Sequence, residues 1–567
     1  MPITAAAARL APDGIRVVAD YTQRNVWSAI PGRKWDPFGK EWVLPDTATT
    51  YVELAKIYPL RADEALQAKI SPEPGSDFDK TAFAQLTVAI CDDMPIRGIQ
   101  PFAHQVAAYR QGMQLFALPQ PGGTGFAILH EPGCGKTLTA LAIIGRTYLD
   151  RKQPLRVLIA APLSVLPVWQ REIDTYLDVM CAVAILSGSG AQRKRNLEGL
   201  PASGLSIALV SYETAWRMED DLTGWQPDMV ILDESQRIKS HDAKQSRFMH
   251  RLGENAAYRM ILTGTPIGNS PLDLWSQYRF LQPDIFGRSF YAFRGRYATM
   301  GGYEGKQVVS YKNMDDLTKK AHSIAHRMRL VDAIDMPPYV DKTLYCDLEP
   351  AAAKAYRQLK RDAVAKLNDD ETITAPRIIT QMLRLSQLAG GFLRPDDSAG
   401  IRQVSTAKLN LLRETLTDLL ADDARKVVIF ARFIPEIKAI CTMLSKLLNS
   451  WESYGVIYGE IPGEARGKAV QDFQINPAVR VFVAQTHTAG LGITLHAADT
   501  AIFYSLDYSY MDYQQARARI HRAGQKKPCT AIHLIAQDTI DEMVAAAIAV
   551  KQNIADTILD KWKEVFK

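Results

Sequence analysis

The sequence predicts an α/β protein: two parallel-sheet lobes with helical insertions, preceded by a small N-terminal α+β module. Three observations carry that class. Short apolar runs recur at residues 157–162, 206–212, 229–232, 259–262, 426–431, 481–484, 501–505 and 530–536, with amphipathic stretches between them. Runs that are apolar along their whole length are buried on both faces, as parallel strands joined by crossover helices are. The runs also fall into two groups, roughly 99–285 and 401–545, so each group builds its own helix-covered sheet. Between them, residues 286–400 change character. Tyr356, Leu359, Ala363 and Leu367 recur at helical spacing, with Lys354, Arg357, Lys360 and Arg361 on the other side, which reads as a helical insert with a basic face.

Length and composition agree with this plan. A chain of 567 residues is too long for one hydrophobic core, so three or four domains are expected. Apolar content of 47% and charged content of 23% describe an ordinary globular protein. The net charge of +5 permits nucleic-acid binding through local patches without demanding it. The six cysteines (Cys91, Cys134, Cys181, Cys346, Cys441, Cys529) form no CxxC pair, which points to a reducing cytoplasm and no structural zinc. No apolar run is long enough to span a bilayer. The alanine-rich start at residues 4–8 lacks the basic flank and long apolar core of a signal peptide. No period characteristic of a solenoid recurs.

Taken in chain order, residues 1–70 form the separate module. A strand is expected at 16–21, a short helix at 22–30, and a hairpin turning about 36–39 in Lys34-Trp35-Asp36-Pro37-Phe38-Gly39-Lys40-Glu41-Trp42. Residues 71–98, opening Ser71-Pro72-Glu73-Pro74-Gly75-Ser76-Asp77, read as a linker. Then follow the first lobe (99–285), the helical protrusions (286–400), the second lobe (401–545) and a C-terminal helix (546–567).

The strongest chemical signal is His130-Glu131-Pro132-Gly133-Cys134-Gly135-Lys136-Thr137, which follows the apolar segment Ala127-Ile128-Leu129. Gly133 and Gly135 let backbone amides point at a phosphate, and the start of a helix near Lys136 adds its positive end. Lys136 suits the β/γ-phosphates of ATP, and the Thr137 hydroxyl suits Mg²⁺. Histidine stands at 130, where the full pattern has glycine. Asp233-Glu234 follows the apolar run Met229-Val230-Ile231-Leu232. Asp233 would hold Mg²⁺ through water, and Glu234 would polarise the attacking water. A lone acidic pair is ordinarily a solvated strand end. Downstream of a phosphate loop, and with Thr263-Gly264-Thr265-Pro266 after the next strand, it reads as a hydrolytic site. Arg519 and Arg522 lie three apart, on one helical face, and can reach a γ-phosphate across a cleft; otherwise they are part of a plain basic helix.

The order of these motifs from Gln105 to Arg522 resembles the superfamily 2 helicases, and within them the SWI/SNF-type ATP-dependent DNA translocases. The resemblance covers about residues 99–545. Its most specific segments are Gly264-Thr265-Pro266-Ile267-Gly268-Asn269-Ser270-Pro271-Leu272-Asp273-Leu274-Trp275, Thr488-Ala489-Gly490-Leu491-Gly492-Ile493-Thr494-Leu495, and His521-Arg522-Ala523-Gly524-Gln525. It implies two RecA-like lobes with ATP and Mg²⁺ between them and duplex DNA across their top. It assigns Gln105 to adenine, Lys136 and Thr137 to phosphate and magnesium, Asp233 and Glu234 to magnesium and water, and Arg519 and Arg522 to the arginine-finger role. Gly492 and Gln525 would couple the lobes. Two departures stand out: Gln236 where the acidic motif more often has histidine, expected to bond between the lobes and alter coupling, and His104 where an aromatic commonly precedes Gln105.

Motors of this type track along duplex DNA through sequence-tolerant phosphate contacts. Candidate contacts are Ser164, Ser211, Tyr212, Lys239, Thr486 and Thr488; each hydroxyl could equally cap a turn or helix. The N-terminal stretch Ile30-Pro31-Gly32-Arg33-Lys34-Trp35-Asp36-Pro37 with Lys40-Glu41-Trp42-Val43-Leu44-Pro45 resembles the HARP domain of annealing helicases, which recognises branched DNA. Arg33 and Lys34 offer phosphate contacts there. Trp35 and Trp42 offer stacking surfaces for unpaired bases, or serve as core of the module. The resulting expectation is a monomeric DNA-dependent ATPase, nucleoid-associated in a prokaryotic or viral-host cytoplasm, that translocates on double-stranded or forked DNA and anneals strands or remodels forks. A duplex-tracking motor that displaces proteins, and a DNA-binding scaffold with a silent ATPase, are the alternatives.

Overall fold

Strands that are apolar on both sides need cover on both faces, and the computed structural model supplies it twice. The structure describes residues 6–11, 14–18, 34–36, 41–45, 50, 60–62, 93–117, 123–301, 307–333, 336–368, 375–393, 400–448, 450, 452–489, 493–522 and 524–559. The chain divides into two compact units: Met1–Asp93 with Gln100–Ala103, and Met94–Ile99 with His104–Lys567.

The larger unit holds two parallel sheets. The first runs, edge to edge, through Ala325–Met328, Thr124–His130, Tyr258–Leu262, Met229–Asp233, Leu155–Ala161, Leu205–Ser211 and Cys181–Ile185. The second runs through Tyr339–Cys346, Cys529–Ala536, Thr500–Phe503, Val427–Ala431, Val481–Gln485 and Tyr454–Ile457. The central strands Met229–Asp233 and Val427–Ala431 are buried at every position. Each fully buried Val, Leu or Ile there contributes roughly 1.5–3 kcal/mol. The expected α/β class with two parallel-sheet lobes is therefore what the chain adopts.

The register of the first sheet positions the chemistry. Met229–Asp233 pairs in parallel with Leu155–Ala161 on one side and Tyr258–Leu262 on the other, and Tyr258–Leu262 pairs with Thr124–His130. The carboxyl ends of these central strands therefore lie side by side. That is where an open α/β sheet presents its ligand crevice.

Two expected boundaries are corrected. Residues 286–400 do contain helices, Phe290–Tyr297, Met314–His322, Pro350–Asn368 and Ala375–Ala389. They also contain an antiparallel hairpin, Ala298–Gly301 with Gln307–Tyr311. Moreover, Ala325–Met328 joins the first sheet beside Thr124–His130, and Tyr339–Cys346 joins the second beside Cys529–Ala536. Both are edge strands covered on one side only, so polar residues such as His326, Arg327, Asp341 and Lys342 interrupt their apolar pattern. The C-terminal helix starts at Ile540, not 546, because Asp541 accepts from the Ala536 amide and anchors the first turn.

The N-terminal unit is a five-stranded sheet in the order Lys34–Asp36, Glu41–Leu44, Gly14–Val18, Ala6–Ala11, Leu60–Ala62. Lys34–Asp36 and Glu41–Leu44 pair antiparallel, with Asp36 opposite Glu41; the turn expected at 36–39 lies, past Asp36, outside the described residues. Arg16 ties the pair down, donating to Asp36 at 3.1 Å and Glu41 at 2.8 Å. The strand expected at 16–21 is Gly14–Val18. The helix expected at 22–30 and the linker at 71–92 lie outside the described residues.

Candidate functional site: a cleft lined by a phosphate loop and two arginines

The phosphate loop leaves the buried strand Thr124–His130 and enters the helix Lys136–Arg151. Gly133 and Gly135 sit in the left-handed region, at φ 96° and 70°. At Gly135 a Cβ would also fall 1.9 Å from the Gln105 amide nitrogen. No side chain fits either requirement, so this cradle is built for backbone amides at a helix N-terminus. Lys136 Nζ donates to the His130 carbonyl at 3.0 Å, which holds the ammonium across the mouth of the loop.

His130, where the loop pattern has glycine, is the last residue of the strand, and its ring is buried. Its Nε2 lies 2.9 Å from His326 Nδ1, and His104 stacks edge-on at 5.5 Å. His104 Nε2 bonds the Cys134 carbonyl at 2.9 Å. Burial lowers the pKa of His130 well below the ordinary histidine value and that of His326 to about 4. The floor under the loop is thus neutral at physiological pH. Gln105, expected at adenine, donates to the carbonyls of Cys134 and Gly135 at 3.4 and 3.2 Å and so braces the loop itself.

The acidic pair ends the strand Met229–Asp233. Asp233 is buried; its Oδ2 accepts from Trp169 Nε1 at 2.9 Å, its Oδ1 from the Glu234 amide at 3.0 Å, and its carbonyl from Tyr212 at 2.7 Å. Burial, and next the Glu234 carboxylate, push its acid up to about 7. Glu234 takes a left-handed backbone at φ 51°. Gln236 Nε2 donates to Glu234 Oε2 at 2.7 Å, and Thr263 Oγ1 donates to Gln236 Oε1 at 2.7 Å. Both partners belong to the first lobe, which corrects the expectation that Gln236 bonds between the lobes.

A hard cation with phosphate ligands needs a hydroxyl, one or two carboxylates and water. Thr137 and Asp233, near Lys136, match that donor set, and the glycine cradle matches the phosphates, so the residues fit Mg²⁺ and ATP.

The second lobe closes the site. Arg519 lies in the last turn of the helix Tyr510–Ile520 and donates to the Ile493 carbonyl at 3.3 Å. Arg522 lies beyond the helix end, which corrects the expectation of one helical face; the chain leaves the helix at His521, and Arg522 donates to Thr494 Oγ1 at 2.9 Å. Arg519 is held at about 10 by burial and by Arg522, with the Glu234 carboxylate opposing the shift. Arg522 is lowered by burial, and Glu172 opposes the shift. Each arginine is thus coupled electrostatically to a carboxylate of the first lobe.

Other expected residues separate. Gln525 is buried and spends its amide on the carbonyls of His496, Ala498 and Ile520, so it pins the segment before Arg519 and does not line the cleft. Gly492 and Arg33, and the side chain of Thr488, lie outside the described residues. Ser164 is exposed in the turn Leu163–Val165, and Lys239 is half-buried with its ammonium near Gly268. Ser211 caps the helix Tyr212–Ala215, accepting from the Thr214 amide at 3.2 Å; Tyr212 is fully buried, so neither is a surface contact for DNA. Thr486 is buried too. In the N-terminal unit Lys34 is exposed and Trp35 half-buried. Trp42 is buried with its ring 5.2 Å from that of Trp35, so it is core and not a stacking surface. Sequence reasoning missed Trp169 as the partner of Asp233. The available signal was its place on a helix following the apolar strand 155–161.

Two family models match in tandem: the SNF2-related domain over residues 109–389 and the helicase conserved C-terminal domain over residues 407–524. Among curated relatives, the chromodomain-helicase-DNA-binding protein 1-like of Danio rerio is 25% identical over 80% of this chain and 44% of its own length. The human TATA-binding protein-associated factor 172 is 26% identical over 76% of this chain and 27% of its own. The chain spans less than half the length of the curated relatives it matches. Among solved structures, the Sulfolobus solfataricus SWI2/SNF2 ATPase core in complex with dsDNA aligns with 82% of this chain and 94% of its own, at 24% identity and a TM-score of 0.39. With both halves of the motor matched in order, the chain belongs to the SNF2-type family of helicase-like ATPases.

Proposed function

We propose that the chain hydrolyses Mg·ATP between its two lobes in response to duplex DNA and uses the closing motion to translocate along the duplex. The phosphate cradle of Gly133 and Gly135, with Lys136 across its mouth and the buried Asp233 at the end of the neighbouring strands, carries this reading. The Gly133–Gly135 backbone and Lys136 bind the phosphates. Thr137 and Asp233 hold Mg²⁺, which when bound neutralises phosphate charge. Glu234, oriented by Gln236, aligns a water in line with the γ-phosphorus and accepts its proton. As the bond to the ADP oxygen breaks, Arg519 and Arg522 neutralise the charge that spreads over the transferring group. Binding energy for lobe closure is thereby tied to the chemical step.

The finer reading is action on branched or forked DNA, with strand annealing or fork remodelling. The basic, aromatic hairpin around Lys34 and Trp35 and its likeness to the HARP module support it. The relatives' names, which include a TATA-binding protein-associated factor and a chromatin regulator, favour a second reading in which the motor strips proteins from duplex DNA. ATP hydrolysis compared without DNA and with single-stranded, duplex and forked DNA separates the two. Fork-selective stimulation that is lost on removing residues 1–70 supports the first, and structure-blind duplex stimulation the second. Lys136→Ala abolishes turnover and spares DNA binding; no hydrolysis by the wild type under any condition marks a silent scaffold.

A further inference from the structure

The chain crosses from the first sheet to the second between the strands Ala325–Met328 and Tyr339–Cys346, and each end of that crossing is bonded to one half of the ATP site. At the first-lobe end, Glu131 of the phosphate loop donates its amide to the Met328 carbonyl at 2.9 Å. Its carboxylate accepts from the Leu330 amide at 2.9 Å and pairs with Arg327 at 3.0 Å. At the second-lobe end, the crossing meets the helix Tyr510–Ile520, which carries Arg519. The Arg517 guanidinium lies over the Tyr339 ring, 4.1 Å from its centre, and 3.5 Å from the Asp341 carboxylate. Tyr513, one turn earlier, donates to Asp341 Oδ1 at 3.1 Å and lies 3.0 Å from His533 Nε2. His521 Nε2 donates to the Pro337 carbonyl at 2.9 Å, and the next residue is Arg522. At about 100° per residue, Arg517 and Arg519 leave the helix on nearly opposite sides. Arg517 meets the edge strand, and Arg519 meets the Ile493 carbonyl at 3.3 Å.

We propose that Arg517 is a positioning residue of the ATPase site: stacked on Tyr339 and paired with Asp341, it docks the helix of Arg519 on the strand where the crossing enters the second lobe. The stance of Arg519 and Arg522 then follows the crossing and, through Glu131, the phosphate loop. The inference rests on the ATPase reading above and adds to it a residue outside the two cleft arginines. Chemistry favours arginine here. A planar guanidinium covers a ring face and meets a carboxylate at its edge, where an ammonium is only a point charge. The Arg517 side chain is 17% exposed, so solvent screens these contacts little. Arg517 lies across the helix from Arg519 and acts through it and Arg522.

The test is a double-mutant cycle on the full chain with Arg517→Ala, Tyr339→Ala and the pair, read as ATP turnover with saturating duplex DNA. Each single change is expected to lower kcat about tenfold with KM for ATP changed less than about threefold, and the pair to lose little more. Tyr339→Phe keeps the ring face and is expected to keep kcat near that of the wild type. Exchange of the His521 amide, which donates to the Arg517 carbonyl at 3.1 Å, reads the docking without turnover. It is expected to quicken in Arg517→Ala and Tyr339→Ala and to stay slow in Tyr339→Phe. Unchanged kcat in Arg517→Ala, additive losses in the pair, or slow His521 exchange in Arg517→Ala overturns the proposal. So does a loss of turnover that only tracks the folded fraction in thermal unfolding, which marks a structural role. A wild type that hydrolyses no ATP overturns the ATPase reading and the positioning role together. An active wild type with any of the contrary results overturns the positioning role alone.

Discussion

The indole of Trp169 donates to Asp233 Oδ2 at 2.9 Å, and it is the side-chain hydrogen bond that opposes the upward shift of that buried acid. Burial dominates and raises Asp233 to about 7, so its charged state is finely balanced near neutrality. Trp169→Phe keeps the packing and removes the donor. The acid then rises further, and the acid limb of the ATPase pH profile moves to higher pH. Turnover at pH 7 is expected to fall several-fold and to recover toward pH 8.5. A limb that stays in place in the kcat profile removes Trp169 from the site.

The same acid makes a stability prediction of definite sign. Its folded pKa lies above its unfolded value near 4, so the native state binds more protons between those values. Stability from this group is full below about pH 4 and is lost as pH rises through about 7. Asp233→Asn stays neutral throughout and can still accept from Trp169. It is expected to unfold at a higher midpoint than wild type at pH 8, on the order of 1–3 kcal/mol, with the difference shrinking toward pH 4. Its ATPase activity is expected to be lost. Equal midpoints at pH 8 show that the acid is not held at a cost.

Gln236 links Glu234 to Thr263, and Thr263 Oγ1 in turn accepts from the Thr265 amide at 3.0 Å. The carboxylate proposed to align the water is thereby tied to the Thr263–Pro266 turn. A hydrogen bond to a charged group contributes about 1.5–3 kcal/mol. Gln236→Ala is expected to lower kcat about tenfold, with Thr263→Val giving a similar loss and the pair little more. Gln236→His, the residue common in this motif, keeps activity if its ring spans the same gap. Additive losses in steady-state kinetics sever the relay.

Much of this was legible in the sequence, and the rest was hidden for physical reasons. Eight apolar runs became eight central strands because a strand buried on both faces is apolar along most of its length. Cys181–Ile185, Tyr454–Ile457, Ala325–Met328 and Tyr339–Cys346 escaped because edge strands are half-covered and keep a mixed pattern. In the site, Lys136, Thr137, Asp233 and Glu234 stood out because phosphate and metal chemistry fixes both residue type and spacing. Tyr212 and Trp42 did not reveal their burial, since an aromatic with a polar handle suits a core and a surface equally. Trp169 was silent because its bond to Asp233 depends on a tertiary meeting of a helix with a strand.

At Lys551 the C-terminal helix Ile540–Leu559 bonds to both lobes. Lys551 Nζ donates to the Tyr508 carbonyl of the second lobe at 2.6 Å and to Asn269 Oδ1 of the first at 3.2 Å. Asn269 lies in a turn whose amides at Gly268, Asn269 and Ser270 all converge on Asp273 Oδ2, at 3.0, 2.7 and 3.3 Å. The lysine therefore grips a rigid part of the first lobe five residues past the Thr263-Gly264 turn. Lys551→Ala leaves both lobes intact and removes the clasp, so it acts on closure and not on chemistry. The KM for ATP is expected to rise about three- to tenfold with kcat changed less than twofold, and amide exchange in residues 268–270 to stay slow because Asp273 holds them. Lys551→Arg, which can span both carbonyl-type acceptors, should restore most of the affinity. A kcat defect without a change in KM would falsify the clasp and place Lys551 in the chemical step.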